Sequence, residues 1–162
     1  MAHSGPQGRE GLSFGRALVY AWLTIGIVDI ADALVFYGFL GATPRLIFQS
    51  IASGLLGRAA FSGGFWVQCL GVALHFLISF VIALVYLAAS RRMRTLARRP
   101  WAWGPAYGLA VWFVMYFVVL PLSAHGPAAM KWPTVVDEIA IHLLGVGLPA
   151  ALFARAHAER GV

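Results

Sequence analysis

The stretch that decides the fold class is residues 65–89, which reads FWVQCLGVALHFLISFVIALVYLAA and contains no Asp, Glu, Lys or Arg. At a rise of about 1.5 Å per residue, a helix of this length crosses a hydrocarbon core of about 30 Å. Three further apolar stretches of similar length lie at about residues 16–40, 101–122 and 135–154. The sequence therefore predicts an all-α, polytopic membrane protein with four transmembrane helices in a single domain.

The composition of the whole chain excludes a water-soluble domain. Of the 162 residues, 60% are apolar and 11% are charged, against about 45–50% and about 25% in soluble domains. The single cysteine, Cys69, allows neither an intramolecular disulfide nor a CxxC metal site. Because GxSxG, HExxH and phosphate-loop motifs are also missing, we predict no catalytic or metal-ligating residue, and the interpretation leans away from an enzyme.

The basic residues predict the orientation of the helices, because cytoplasmic loops are enriched in Lys and Arg. One side of the predicted bundle carries Arg9, Arg16, Arg91, Arg92, Arg94, Arg98, Arg99, Arg155 and Arg160, and the other side carries Arg45, Arg58 and Lys131. The polar arm 1–15 and the tail 156–162 are therefore expected in the cytoplasm. We expect the run from Arg91 to Arg99 to contact anionic lipid headgroups rather than nucleic acid.

The connection between the first two spans predicts a short helix at about residues 44–62. Thr43 and Pro44 form a favourable helix start, with a capping hydroxyl and a proline at the first helical position. The segment is too short to span, so we expect an amphipathic helix on the outer interface or a re-entrant segment. Gly54 and Gly57 would allow it to approach a neighbouring helix closely.

Polar side chains at matching depths in three spans predict a buried cluster. Charged groups in hydrocarbon usually face the protein interior and have a partner. The predicted cluster, in the outer half of the membrane, consists of Asp29, Asp32, His75 and His142, with Gln68, Ser79 and Glu138 in support.

Several roles are open for this cluster. It could be a hydrogen-bonded clasp that fixes the helices, a path for protons or cations, or a metal site. No cofactor is predicted, although His75 and His142 could ligate haem or a chlorophyll-type pigment as the weakest alternative. The neighbouring Asp137 and Glu138 could pair with Arg45 or Arg58 instead of taking part.

Gly104-x-x-x-Gly108 in the third span is a close-packing motif. It suits a homodimer, a contact with another span of the same chain, or a larger partner.

Four runs resemble an uncharacterised family of small bacterial four-span inner-membrane proteins. They are Asp29-x-x-Asp32-Ala33, IFQSIASGLLG at 47–57, Leu74-His75-Phe76, and VVLPLSA at 118–124. The resemblance covers most of residues 24–150. It implies a bacterial inner-membrane location and a four-helix fold, and it implies no activity, ligand or catalytic residue.

The expected function follows from the small size of the chain. Four spans leave little room for alternating access within one chain. We therefore expect a non-enzymatic protein that works as a homo-oligomer or as an accessory subunit of a larger membrane complex. The alternative is a small proton, ion or solute transporter or channel that uses the Asp/His cluster, and a haem- or pigment-binding module is a weaker one.

Overall fold

The computed structural model describes residues 11–127, 129 and 131–159. The protein is 88% helical, with no strand among these residues. Four helices are long and apolar enough to cross a membrane, and two short helices lie between them in sequence: α1 (Phe14–Phe39), α2 (Pro44–Leu56), α3 (Phe65–Arg92), α4 (Arg94–Arg98), α5 (Pro100–Leu122) and α6 (Trp132–Ala158). The predicted all-α polytopic membrane fold is confirmed. The predictions on residues 1–10 and 160–162, which include Arg9 and Arg160, lie outside the described residues.

Local sequence explains where the first helices begin. The Ser13 hydroxyl accepts a hydrogen bond from the Arg16 N–H at the start of α1. The Thr43 hydroxyl accepts one from the Leu46 N–H at the start of α2, where Pro44 occupies the first turn as predicted. Such caps satisfy backbone donors that have no partner within the helix. A 3₁₀ segment, Gly57–Ser62, continues α2 towards α3.

The long helices pack through small side chains. α1, α3 and α6 contact one another, and α5 packs along α6. Towards one end of the bundle the interior is formed by alanines without solvent exposure: Ala17, Ala21, Ala83, Ala150, Ala151 and Ala154. We call this end, which also carries α4, the arginine-rich end, and the end that carries α2 the arginine-poor end. Small residues let helix backbones approach closely, which favours association in a membrane.

The outer surface of the bundle is apolar. Large hydrophobic side chains such as Ile27, Leu77 and Phe113 are more than half exposed, as expected of helices whose outward faces contact lipid. Exposed tryptophans mark both ends of the bundle: Trp101 and Trp103 at the arginine-rich end, and Trp66 and Trp132 at the other. This is the distribution of an interfacial aromatic belt.

The Gly104-x-x-x-Gly108 motif is used within the chain. A side-chain carbon at Gly104 would lie 2.9 Å from the Leu148 Cα, and one at Gly108 would lie 2.9 Å from the Leu143 Cα. Gly147 of α6 faces the same two glycines. Of the three predicted uses of the motif, the structure selects the contact between two spans of one chain, because both glycines are covered by α6.

α2 packs against α3 at Gly71 of α3, and of the two glycines expected to make close approaches, Gly54 and Gly57, only Gly57 does so within the described residues. The backbone of Phe48 crosses Gly71 of α3, where a side-chain carbon would collide with it. Gly54 has no atom within 4 Å of such a carbon, so the expectation for Gly54 is wrong. Gly57 lies against the Ala124 carbonyl, 3.2 Å from where its Cβ would be. Its φ of 59° is also one that glycine adopts most readily.

Two of the long helices contain a π-helical segment. They are Met115–Val119 in α5 and His142–Gly147 in α6. Each ends two residues before a proline, Pro121 or Pro149, which has no N–H to donate to the preceding turn. Single π turns are frequent at functional sites because they weaken and redirect the helix locally.

Candidate functional site

A cavity of about 450 Å³ lies among α1, α2, α3, α5 and α6, on the arginine-poor side of the alanine-packed interior. The structure places all four residues of the predicted cluster on its wall. Asp137 and Glu138 also line it, so four of the six acidic residues of the chain face one space: Asp29, Asp32, Asp137 and Glu138. The only basic groups among the described lining residues are two imidazoles, and no Lys or Arg lines the cavity there. The cavity is therefore acidic.

Asp29 of α1 and His75 of α3 face each other across the cavity wall. The Nε2–H of His75 donates to the Gly26 carbonyl at 2.8 Å, since a carbonyl can only accept. This leaves Nδ1 facing Asp29, at 3.9 Å from Oδ2. A proton on Nδ1 makes the pair an imidazolium and a carboxylate, so the two groups together can hold one exchangeable proton.

Asp32 of α1 and Asp137 of α6 face each other. Electrostatic interactions link Asp32 to Asp137, to Asp29 and to His142. Two carboxylates at close range repel each other, and a proton or a cation shared between them relieves the repulsion. This pair is therefore a place where a positive charge is favoured.

Glu138 differs from the two aspartates because neutral donors satisfy both of its oxygens. The Tyr37 hydroxyl donates to Oε1 at 2.9 Å, and the Trp112 indole N–H donates to Oε2 at 3.2 Å. The alternative in which Asp137 or Glu138 pairs with Arg45 or Arg58 is wrong for the described residues, where no such ion pair occurs. Arg45 donates instead to the Gly63 carbonyl.

His142 stands at the start of the π-helical segment of α6. Its Nδ1–H donates to the Glu138 carbonyl at 2.7 Å. The carbonyl fixes this tautomer and leaves Nε2 as the nitrogen that can accept a proton. His142 therefore bonds to the backbone of Glu138 and interacts electrostatically with Asp32.

Of the two supporting residues predicted on α3, one lines the cavity and the other does not. Ser79 lines the cavity and its hydroxyl donates to the His75 carbonyl at 2.9 Å. Gln68 does not line it. A different glutamine, Gln49 of α2, is buried and donates to the Gly63 carbonyl at 2.7 Å.

Sequence reasoning missed the aromatic donors Tyr37 and Trp112. Helical offsets indicate which residues share a face of one helix, but these contacts join α1 and α5 to α6. The sequence indicates Asp137 only as a possible partner of Arg45 or Arg58. Tyr37 follows Asp29 by eight residues, a spacing that places both on the same face of α1, and this is the signal that could have indicated a donor.

Ligation of a haem or pigment by His75 and His142 stays a prediction, and His75 has both ring nitrogens engaged within the protein. The Nε2 of His75 is bonded to Gly26 and its Nδ1 faces Asp29, so neither nitrogen is free for a metal. Within the part of the chain that the structure describes, no group of three or more His, Cys, Asp or Glu residues has the arrangement of a metal site. We therefore build no role on a metal or cofactor.

A second cavity, of about 790 Å³, lies at the arginine-rich end, between the ends of α3 and α6 and the short helix α4. Of the five predicted lipid-contacting arginines, three line it and two do not. The lining members are Arg91, Arg94 and Arg98, and the others are Arg92 and Arg99.

Comparisons with known proteins found no match to a family model, a curated protein or a solved structure.

Proposed function

We propose that the protein is a bacterial inner-membrane transport protein that admits protons or a small cation to the acidic cavity. The observation that carries the proposal is that four carboxyl groups line one cavity, where Asp32 and Asp137 lie close enough to repel each other. A clasp that only fixed the helices would give each carboxyl group a donor, as Glu138 has. Asp32 and Asp137 instead meet another carboxyl group, which leaves a place for an exchangeable positive charge.

The composition of the wall favours a positive species over an anion or a neutral solute. Four carboxyl groups face the cavity against two imidazoles, so an anion entering it would meet an excess of negative charge in a medium of low dielectric constant. Tyr37 and Trp112 add aromatic surface, which also attracts cations.

All of these residues come from one chain, and this favours transport over the expected role as an accessory subunit. A subunit that only supports a larger complex needs no acidic cavity of its own. The proposal is compatible with a homo-oligomer, in which each copy would carry one cavity.

Movement of a cation across the protein requires the helices to separate at the arginine-rich end. The alanines there are fully buried and leave no path from the cavity. The π-helical segments of α5 and α6 lie beside the cavity. Because their backbone bonding is irregular, we propose them as the places where the helices bend.

The proposed orientation has the arginine-rich end in the cytoplasm. The distribution of arginines supports it, since Lys and Arg accumulate in cytoplasmic loops. The cavity then lies in the outer half of the membrane.

Flux into proteoliposomes tests the proposal. A trapped pH-sensitive dye reports proton entry under an imposed membrane potential. A second assay measures the entry of Na⁺ or of a small amine instead of protons. We expect wild-type flux above that of empty liposomes, and Asp32→Asn should reduce it to the empty-liposome rate because the shared proton site is lost. Gln68→Ala is the matched control, since Gln68 is a polar residue of α3 outside the cavity, and its flux should equal wild type.

Size-exclusion chromatography and circular dichroism of each variant show whether the fold is intact. Wild-type flux no greater than that of empty liposomes with every cation tried would contradict the proposal. So would undiminished flux in a folded Asp32→Asn protein.

A further inference from the structure

The second cavity, at the arginine-rich end, is independent of the acidic cavity and of the transport proposal. Ser90 and Arg91 at the end of α3, Arg94 and Arg98 of α4, and Arg155 of α6 contribute to its wall. Glu159 is the one acidic residue among the described lining residues. The cavity thus concentrates guanidinium groups around a space large enough for a small polar ligand.

The arginines of this cavity differ in whether their guanidinium groups already contact another side chain. Arg155 pairs with Glu159 at 2.9 Å, and the Arg91 guanidinium lies over the Phe14 ring at 5.4 Å. Arg94 and Arg98 form no ion pair within the described residues. These two exposed cations are therefore free to bind an anion.

The short helix α4 holds Arg94 and Arg98 in place. They are four residues apart on one face, while Leu96 and Ala97 between them are buried against the bundle. The Tyr86 hydroxyl of α3 donates to the Leu96 carbonyl at 3.0 Å. α4 is consequently fixed to α3, so the backbone positions from which both arginine side chains extend are set before a ligand arrives, which lowers the entropy cost of binding.

We infer that this cavity binds the phosphate group of an anionic phospholipid. Arginine pairs with phosphate through two parallel N–H···O bonds, which the guanidinium groups of Arg94 and Arg98 can supply. A lipid is favoured as the source because exposed Trp101 marks the same end of the bundle as a membrane interface. Basic pockets between transmembrane helices on the cytoplasmic side are a known type of site for anionic headgroups.

Native mass spectrometry of the detergent-solubilised protein tests this inference, with phosphatidylglycerol as the anionic lipid and phosphatidylcholine as the neutral one. We expect phosphatidylglycerol to bind the wild type more tightly, and Arg94→Gln/Arg98→Gln to weaken its binding by at least about ten-fold. Arg94→Lys/Arg98→Lys should give an intermediate affinity, because it keeps the charge but loses bidentate bonding.

The matched control is Arg92→Gln/Arg99→Gln, which removes two arginines from the same segment without touching the cavity wall. It should bind phosphatidylglycerol within about two-fold of wild type. An equal loss in the control would overturn the site, because it would show that bulk charge alone attracts the lipid. Saturable binding of inorganic phosphate to the delipidated wild type, at the affinity of phosphatidylglycerol, would overturn the assignment to a lipid.

Discussion

At the scale of single residues, Glu138 shows how a carboxylate is held inside a membrane protein. Its two oxygens accept from Tyr37 and Trp112, which come from two other helices. Hydrogen bonds to a charged group contribute more to stability than neutral ones, and an unpaired buried charge is strongly unfavourable. Glu138 is therefore best understood as a structural residue that ties α1 and α5 to α6 beside Asp32 and Asp137.

Tyr37→Phe should destabilise the protein, because it removes one donor to the Glu138 carboxylate and keeps the ring. We expect a loss of about 1.5–3 kcal/mol, seen as a lower Tm in detergent. Tyr20→Phe is the control, since Tyr20 is half exposed and only its ring contacts Phe153. If the two variants melt together, the hydrogen bond to Glu138 does not contribute to stability.

At the scale of elements, the contact between α5 and α6 determines the shape of the cavity. Gly104 and Gly108 meet the backbone of α6 at and next to its π-helical segment. His142 belongs to that segment, and Asp137 and Glu138 precede it by about one turn. The close packing of these two helices therefore sets the position of the residues that α6 contributes to the site.

Gly108→Ala should separate α5 from α6, because the added carbon would lie only 2.9 Å from the Leu143 Cα. Overpacking of this kind costs about 1–3 kcal/mol or more, which differential scanning fluorimetry in detergent would report as a lower Tm. Gly54→Ala is the matched control: its Cβ would meet no atom within 4 Å, and alanine is the better helix former by about 1 kcal/mol. A Gly108→Ala protein as stable as the Gly54→Ala protein would contradict this account of the packing.

At the scale of the whole molecule, the two ends of the bundle have different chemistry. The acidic cavity lies towards the arginine-poor end and the basic cavity at the other, and the alanine-packed interior separates them. In the proposed orientation, the basic cavity faces the cytoplasmic leaflet, where anionic lipids can reach it. The acidic cavity would then receive its cation from the outer side.

Cysteine labelling in a Cys69→Ser background tests this orientation. Ser62→Cys and Thr95→Cys place single exposed thiols at the arginine-poor and arginine-rich ends without changing any charge. In intact spheroplasts, a membrane-impermeant maleimide should label the cysteine at 62 and leave the one at 95 unlabelled until the membrane is permeabilised. The opposite pattern would reverse the predicted topology.

The sequence alone predicts the number of spans, the helix start at Thr43 and Pro44, and which polar residues lie within the helices. These features depend on local properties, namely the length of an apolar stretch, capping side chains and the helical repeat. The tertiary structure decided which of these residues meet: Asp32 with Asp137, Glu138 with Tyr37 and Trp112, and the Gly104–Gly108 motif with α6. Such pairings depend on the rotation of each helix about its axis, and one residue corresponds to about 100°. A π-helical turn changes that rotation, and local sequence patterns do not fix it.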